Sequence, residues 1–75
     1  MMEVTLVLHG LLAARAQQTG PMRVPTDTTV ADVLREAGLN GHDGLVLVMD
    51  GQQVQLTDNV SPGARITAFL RVAGG

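Results

Sequence analysis

The sequence contains no cysteine, no lysine, no tryptophan and no tyrosine, and a single phenylalanine, Phe69. Each absence excludes something. Without cysteine there can be no disulfide, no thiolate metal centre, no iron–sulfur cluster of the ferredoxin kind and no thiol nucleophile on this chain. The five cations are all arginines, at positions 15, 23, 35, 65 and 71, set against seven acidic residues for a net charge of -2. That balance argues against a nucleic-acid partner, which would call for a basic face. No apolar run approaches the roughly 20 residues a bilayer-crossing helix needs, and Met1-Met2-Glu3 offers no basic n-region. The expectation is a cytoplasmic protein with no membrane partner.

What is present is 75 residues, 45% of them hydrophobic. This is one domain, near the lower size limit for folding without a covalent staple. Glu3 to His9 reads as a strand, with Val4, Leu6 and Leu8 on one face and Thr5, Val7 and His9 on the other. The following stretch, "GLLAARAQQTGP", has room for a short helix in its middle that Gly20-Pro21 should end. Met22 to Val24 forms a short second strand, and Pro25 suggests an edge position. Thr29 is placed to cap a helix, with Asp32 as its capping-box partner. Val30, Val33, Leu34 and Ala37 then form one apolar stripe, and Gly38 suits a left-handed stop. Asp50-Gly51 predicts a type I′ hairpin between strands at about 45–49 and 52–56. Pro62-Gly63 fits the centre of a type II turn, and a last strand runs from Arg65 to Arg71. Strand, strand, helix, strand, short strand, strand is the order of an α+β β-grasp, a mixed four- to five-stranded sheet with one main helix on one face.

Alternation in the last strand turns Ile66, Ala68 and Leu70 toward the helix and Arg65, Thr67, Phe69 and Arg71 outward. If Leu45, Leu47 and Met49 pack under the helix, then Val46 and Val48 face outward, as Val7 does from the first strand. Phe69, Val46, Val48 and Val7 would form an apolar patch flanked by Arg65 and Arg71, a candidate partner surface. A one-residue error of phase would invert this and put Phe69 in the core.

Residues 1–71 therefore form the domain, and 72–75, Val72-Ala73-Gly74-Gly75, a flexible C-terminal Gly-Gly tail. Its small side chains make a thread able to enter a narrow channel. Its one reactive group is the Gly75 α-carboxylate, which needs activation, most simply as an acyl-adenylate, before sulfur or an amine can attack it.

With this tail, the helix segment "TTVADVLREAGL", the hairpin "LVLVMDGQQV" and the closing "SPGARITAFLRVAGG", the chain resembles the sulfur carriers of the MoaD and ThiS type, relatives of ubiquitin. The resemblance covers the whole chain, and the opening "VTLVLHGLLAARA" is closer to the MoaD-like pattern. It implies that an E1-like enzyme adenylates Gly75 with ATP and that a thiocarboxylate forms, with sulfur from a donor such as a cysteine desulfurase or rhodanese. The sulfur would pass to an acceptor synthase subunit. Gly74, Ala73 and Val72 would thread the activating site, and Arg71 stands where ubiquitin has an arginine read by its activating enzyme. The family's acidic turn is here Ser61-Pro62-Gly63-Ala64, and its proline pair before "VAGG" is Leu70-Arg71. Molybdopterin biosynthesis is the favoured destination. Thiamin thiazole, tRNA thiolation and attachment to proteins as a ubiquitin-like modifier stay open, as does an interaction module with no reactive tail.

Other constellations are weak. His9 and His42 stand alone, so no metal site is expected, and no cofactor is expected to be bound permanently. Asp27, Asp32, Asp43, Asp50 and Asp58 suit local caps and turns, and the glycines form no phosphate cradle. The chain is expected to be a carrier on which another protein does chemistry, not an enzyme.

Overall fold

In the computed structural model, residues 1–39 and 44–71 are described. Among them the elements run β1 (Met2–Leu8), α1 (Leu11–Arg15), β2 (Gly20–Val24), α2 (Val30–Glu36), β3 (Leu45–Met49), β4 (Gln52–Val54) and β5 (Arg65–Leu70). The strands form one sheet in the order β2-β1-β5-β3-β4. β1 and β5 pair in parallel at its centre, with Thr5 opposite Arg65 and Leu8 opposite Ala68. The other pairings are antiparallel. Parallel neighbours need a crossover, and here the crossover carries α2.

The core lies on one face of this sheet. Val4, Leu6, Met22, Val24, Leu47, Ile66 and Ala68 are buried there, together with Val30, Val33, Leu34 and Ala37 of α2. Met2, which the strand reading left out, is buried too, because β1 begins one residue earlier and ends at Leu8.

The ends of α2 follow the local chemistry. The Asp32 N–H donates to Thr29 Oγ1 and the Thr29 N–H to Asp32 Oδ2, both at 3.2 Å, which completes the capping box. The next two amides find partners in the loop after β4: Val30 donates to the Asp58 carbonyl and Ala31 to that of Leu56. At the other end Gly38 has φ 86°, its N–H bonds the Arg35 carbonyl, and the Leu39 N–H reaches back to Leu34. This is the 6→1 and 5→2 pair of a Schellman stop, with Leu34 and Leu39 both buried beneath it.

Asp32 has a pKa lowered from its ordinary 3.8, first by the Thr29 backbone N–H, then by the Thr29 hydroxyl, and also by the Arg35 guanidinium 2.9 Å away, outweighing partial desolvation. A carboxylate whose folded pKa lies below the unfolded one contributes stability above the unfolded value. It loses that contribution as pH falls through the folded value. Thr29→Ala removes the N-cap oxygen and should cost about 1 kcal/mol at neutral pH. It should also lessen, without abolishing, the loss of stability below pH 3.8, because the hydroxyl is removed while the backbone N–H of residue 29, the larger cause of the lowered pKa, remains. Urea midpoints measured across that acid range for both proteins check this.

Three further boundaries differ from the sequence reading. β2 starts at Gly20, so Gly20-Pro21 opens a strand and does not end a helix. α1 has already stopped at Ala16, whose backbone turns extended at ψ 142°. The edge position of β2 tolerates Pro21. β4 ends at Val54 and not at 56, because Asp58 Oδ2 accepts the Gln55 N–H at 2.8 Å and folds the chain into a turn, leaving Leu56 exposed. β5 ends at Leu70, although the Arg71 N–H still donates to the Gly44 carbonyl. His42 and Asp43 lie outside the described residues.

Candidate functional site: the open face of the sheet and the exit of the last strand

The side chains of β5 alternate as the sequence implies. Ile66 and Ala68 are fully buried, and Phe69 stands 37% exposed on the opposite face. The register assembles the rest. Val7 of β1 and Val48 of β3 both face Thr67, one from each side, and Val46 faces Phe69. All lie on the face away from α2, with Val7, Val46, Val48 and Thr67 half-buried by their neighbours and Phe69 the most exposed of the group. The four apolar residues of the candidate patch thus share one surface, and Phe69 is not in the core. Thr67, at the centre of the row, belongs to it as well. Alternation had already placed it outward.

The flanking cations take the two ends of β5. Arg65 is opposite Thr5, and Arg71 follows the last paired residue, both exposed. The β5 start is firmly held. Asp50 and Gly51, with φ 52° and 85°, make the tight turn between β3 and β4. Asp50 Oδ1 then accepts the Arg65 N–H at 3.0 Å while its own N–H donates to the Arg65 carbonyl. On the other side the Ser61–Ala64 turn closes through the Ala64 N–H to the Ser61 carbonyl, with Gly63 at φ 75°. The Gly63 N–H reaches the Glu3 carbonyl at 2.7 Å, tying this turn to β1. Replacing the acidic turn of the resembled family by Ser-Pro-Gly-Ala therefore leaves the entry to β5 intact.

At the far end of β5 lies a feature that the sequence reading missed. His9, Gly10, Leu11, Phe69 and Leu70 line a shallow, mainly apolar groove of about 280 Å³. The His9 ring stands edge-on to Phe69, with centroids 6.4 Å apart and the planes at 75°. Leu11, the first residue of α1, is 64% exposed beside them. The signal was the unpatterned Leu11, but only the parallel β1–β5 pairing brings α1 to the end of β5. A larger open cleft of about 490 Å³ lies elsewhere, among Arg23, Asp27, Asp32, Arg35 and Glu36. There Arg35 donates to Asp32, and Asp32 is bonded in turn to Thr29 of the helix cap. Among the described residues no group of three or more His, Asp or Glu could hold a metal ion. No helix among them is long and apolar enough to cross a membrane. Val72, Ala73, Gly74 and Gly75 lie outside the described residues.

The sequence matches no protein-family model and no curated protein. Solved structures do match. SAMP1 from Haloferax volcanii superposes with a TM-score of 0.75 at 24% identity, over 97% of this chain and 99% of that one. Another structure, of H. volcanii small archaeal modifier protein 1, gives a TM-score of 0.78 at 18% identity, over 96% and 100%. The solution structure of the H. volcanii HVO 2177 protein gives 0.74 at 26% identity, over 99% of this chain and 87% of that one. The chain has the ubiquitin-like β-grasp fold. The β-grasp accounts for the crossover helix, the parallel central pair and the uncovered sheet face.

Proposed function

We propose that this protein is a β-grasp carrier whose Gly75 carboxylate is adenylated by an E1-like partner at the expense of ATP and then converted to a thiocarboxylate. The observation that carries the reading is the run of Val72-Ala73-Gly74-Gly75 directly after a strand whose outward residues form an apolar face. In this reading Phe69, Val46, Val48 and Val7 bury against the activating enzyme, with Arg65 and Arg71 at the rim. The narrow tail carries its carboxyl group into the adenylating site. Attack of the carboxylate oxygen on the α-phosphorus of ATP releases pyrophosphate. The outer sulfur of a persulfide on a desulfurase or rhodanese then attacks the acyl carbon and displaces AMP. A thiol cleaves the resulting acyl disulfide, leaving the thiocarboxylate on Gly75 and a disulfide on the donor. The order β1-α1-β2 before the main helix supports a MoaD-like role, with a molybdopterin precursor as the sulfur acceptor in a synthase complex. No resident cofactor is required of this chain.

A second reading takes its support from the description of the structural neighbours as small archaeal modifiers. In it the same adenylate is captured by an amine of another protein. Both readings share the activation step, and the mass of the product separates them.

The docking part is tested with Phe69→Ala. Because Phe69 lies outside the core, the urea midpoint should move by less than about 1 kcal/mol. ATP–pyrophosphate exchange by a competent E1-like enzyme should meanwhile need about 10- to 100-fold more of the variant to reach half-maximal rate, the loss typical of a central aromatic contact. Unchanged exchange would remove the open face from the interface.

A further inference from the structure

The topology also limits where an activated tail can go, an inference that rests on the carrier reading above. We infer that the chain offers no side-chain amine to its own activated carboxyl group and cannot close into an amide ring: within one molecule it is a one-way donor. An amide needs an amine, and residues 1–75 contain no lysine, while the unactivated hydroxyls of Ser61 and the threonines stay protonated at neutral pH and compete poorly with water for an acyl group. Arginine guanidinium groups stay protonated and are not nucleophiles at neutral pH. The His9 imidazole lines the groove beside Leu70. An acyl-imidazole, from His9 or His42, is reopened by water and returns the free carboxylate.

The remaining amine in residues 1–75 is the α-amino group of Met1, and the sheet holds it away. Thr5 is opposite Arg65 in the parallel pair, with Met1 four residues before Thr5 and Leu70 five residues after Arg65. Nine residue steps along paired strands separate the two ends by about 30 Å. Residues 71–75, fully stretched, cover at most about 18 Å. While β1 and β5 stay paired, Gly75 cannot reach Met1 of the same molecule.

The test uses the folded protein and needs no activating enzyme. Intein cleavage yields the Gly75 thioester of mercaptoethanesulfonate. In aminolysis the amine nitrogen attacks the Gly75 carbonyl carbon, a C–N bond forms, and the C–S bond breaks. The thiolate leaves with its electron pair, and the amine gives up a proton. Held at mildly alkaline pH, the wild-type thioester should decay only to the carboxylate. Leu11→Lys places an amine at an exposed position in the groove beside Leu70, within reach of the tail. It should give a ring one water lighter than the carboxylate form. A short tether supplies about millimolar effective concentration, so at about 10 µM protein the ring should outrun any dimer roughly 100-fold. Arg15→Lys, later on the same short helix, is the second variant, and the urea midpoint verifies that each is folded. A wild-type ring, or failure of both folded lysine variants to cyclise, would overturn the inference. Failure of E1-like enzymes to adenylate Gly75 would sink the carrier reading and leave these outcomes unchanged.

Discussion

Truncating Ile66 to alanine should cost about 2–5 kcal/mol, a large share of the roughly 4–11 kcal/mol expected for 75 residues. Ile66 has no exposed surface and sits at the middle of the sheet, opposite Leu6 of β1 and Met49 of β3. The backbone on both sides is pinned by ladder bonds, so the space left by the lost carbons cannot close by moving β5. The α2 face above it, with Val30 and Val33 fully buried, is held at its N-terminus by the Thr29–Asp32 box and the bonds from Asp58 and Leu56. A rigid surround keeps the cavity open, which places the cost toward the upper end of the range. Urea titration should show a midpoint lowered by a third or more, with an unchanged slope. A loss below about 1 kcal/mol would mean that the sheet relaxes into the gap.

The second large effect concerns chemistry and not folding. Adding one alanine after Gly75, or deleting Gly75, should abolish activation by an E1-like enzyme while leaving the urea midpoint where it was. Among the described residues every strand and helix ends by Leu70, and the core cluster is built from side chains at or before that position. One extra residue moves the carboxylate by up to about 3.6 Å. A misplacement of even 1 Å at a reacting centre can cost about 100-fold. Pyrophosphate exchange should therefore fall at least that far. Full activity of the extended protein would argue for an interaction module that uses the sheet face alone.

Much of this fold was legible because its signals are local. The Thr29–Asp32 box, the Gly38 stop and the Asp50-Gly51 turn each depend on residues within one turn of each other, and all three formed as their chemistry implies. The phase of β5 was legible for a related reason. Ile66, Ala68 and Leu70 can share a face only if Phe69 takes the other, and the central position of the strand leaves no freedom for a slip. What could not be read depends on distant partners. The end of β4 is set by Asp58 bonding back to Gln55, and by Leu56 and Asp58 lending their carbonyls to α2. Nothing in "QQVQL" announces this. Gly20-Pro21 looked like a terminator because both residues break helices. The edge of the sheet gives them a strand role instead. The groove of His9, Leu11 and Phe69 joins residues some 60 positions apart, brought together by a parallel pairing that no local pattern encodes. At the candidate site, alternation was enough to assemble Val7, Val46, Val48 and Phe69, while His9 and Leu11 required the topology.

The most direct measurement of the central claim is intact-mass spectrometry of the protein after incubation with an E1-like enzyme, ATP and a sulfur donor. The account predicts a gain equal to replacing one oxygen by sulfur, located at Gly75 by fragmentation and absent from the variant lacking Gly75. An unchanged mass with a panel of E1-like enzymes known to be active on their own carriers would contradict it.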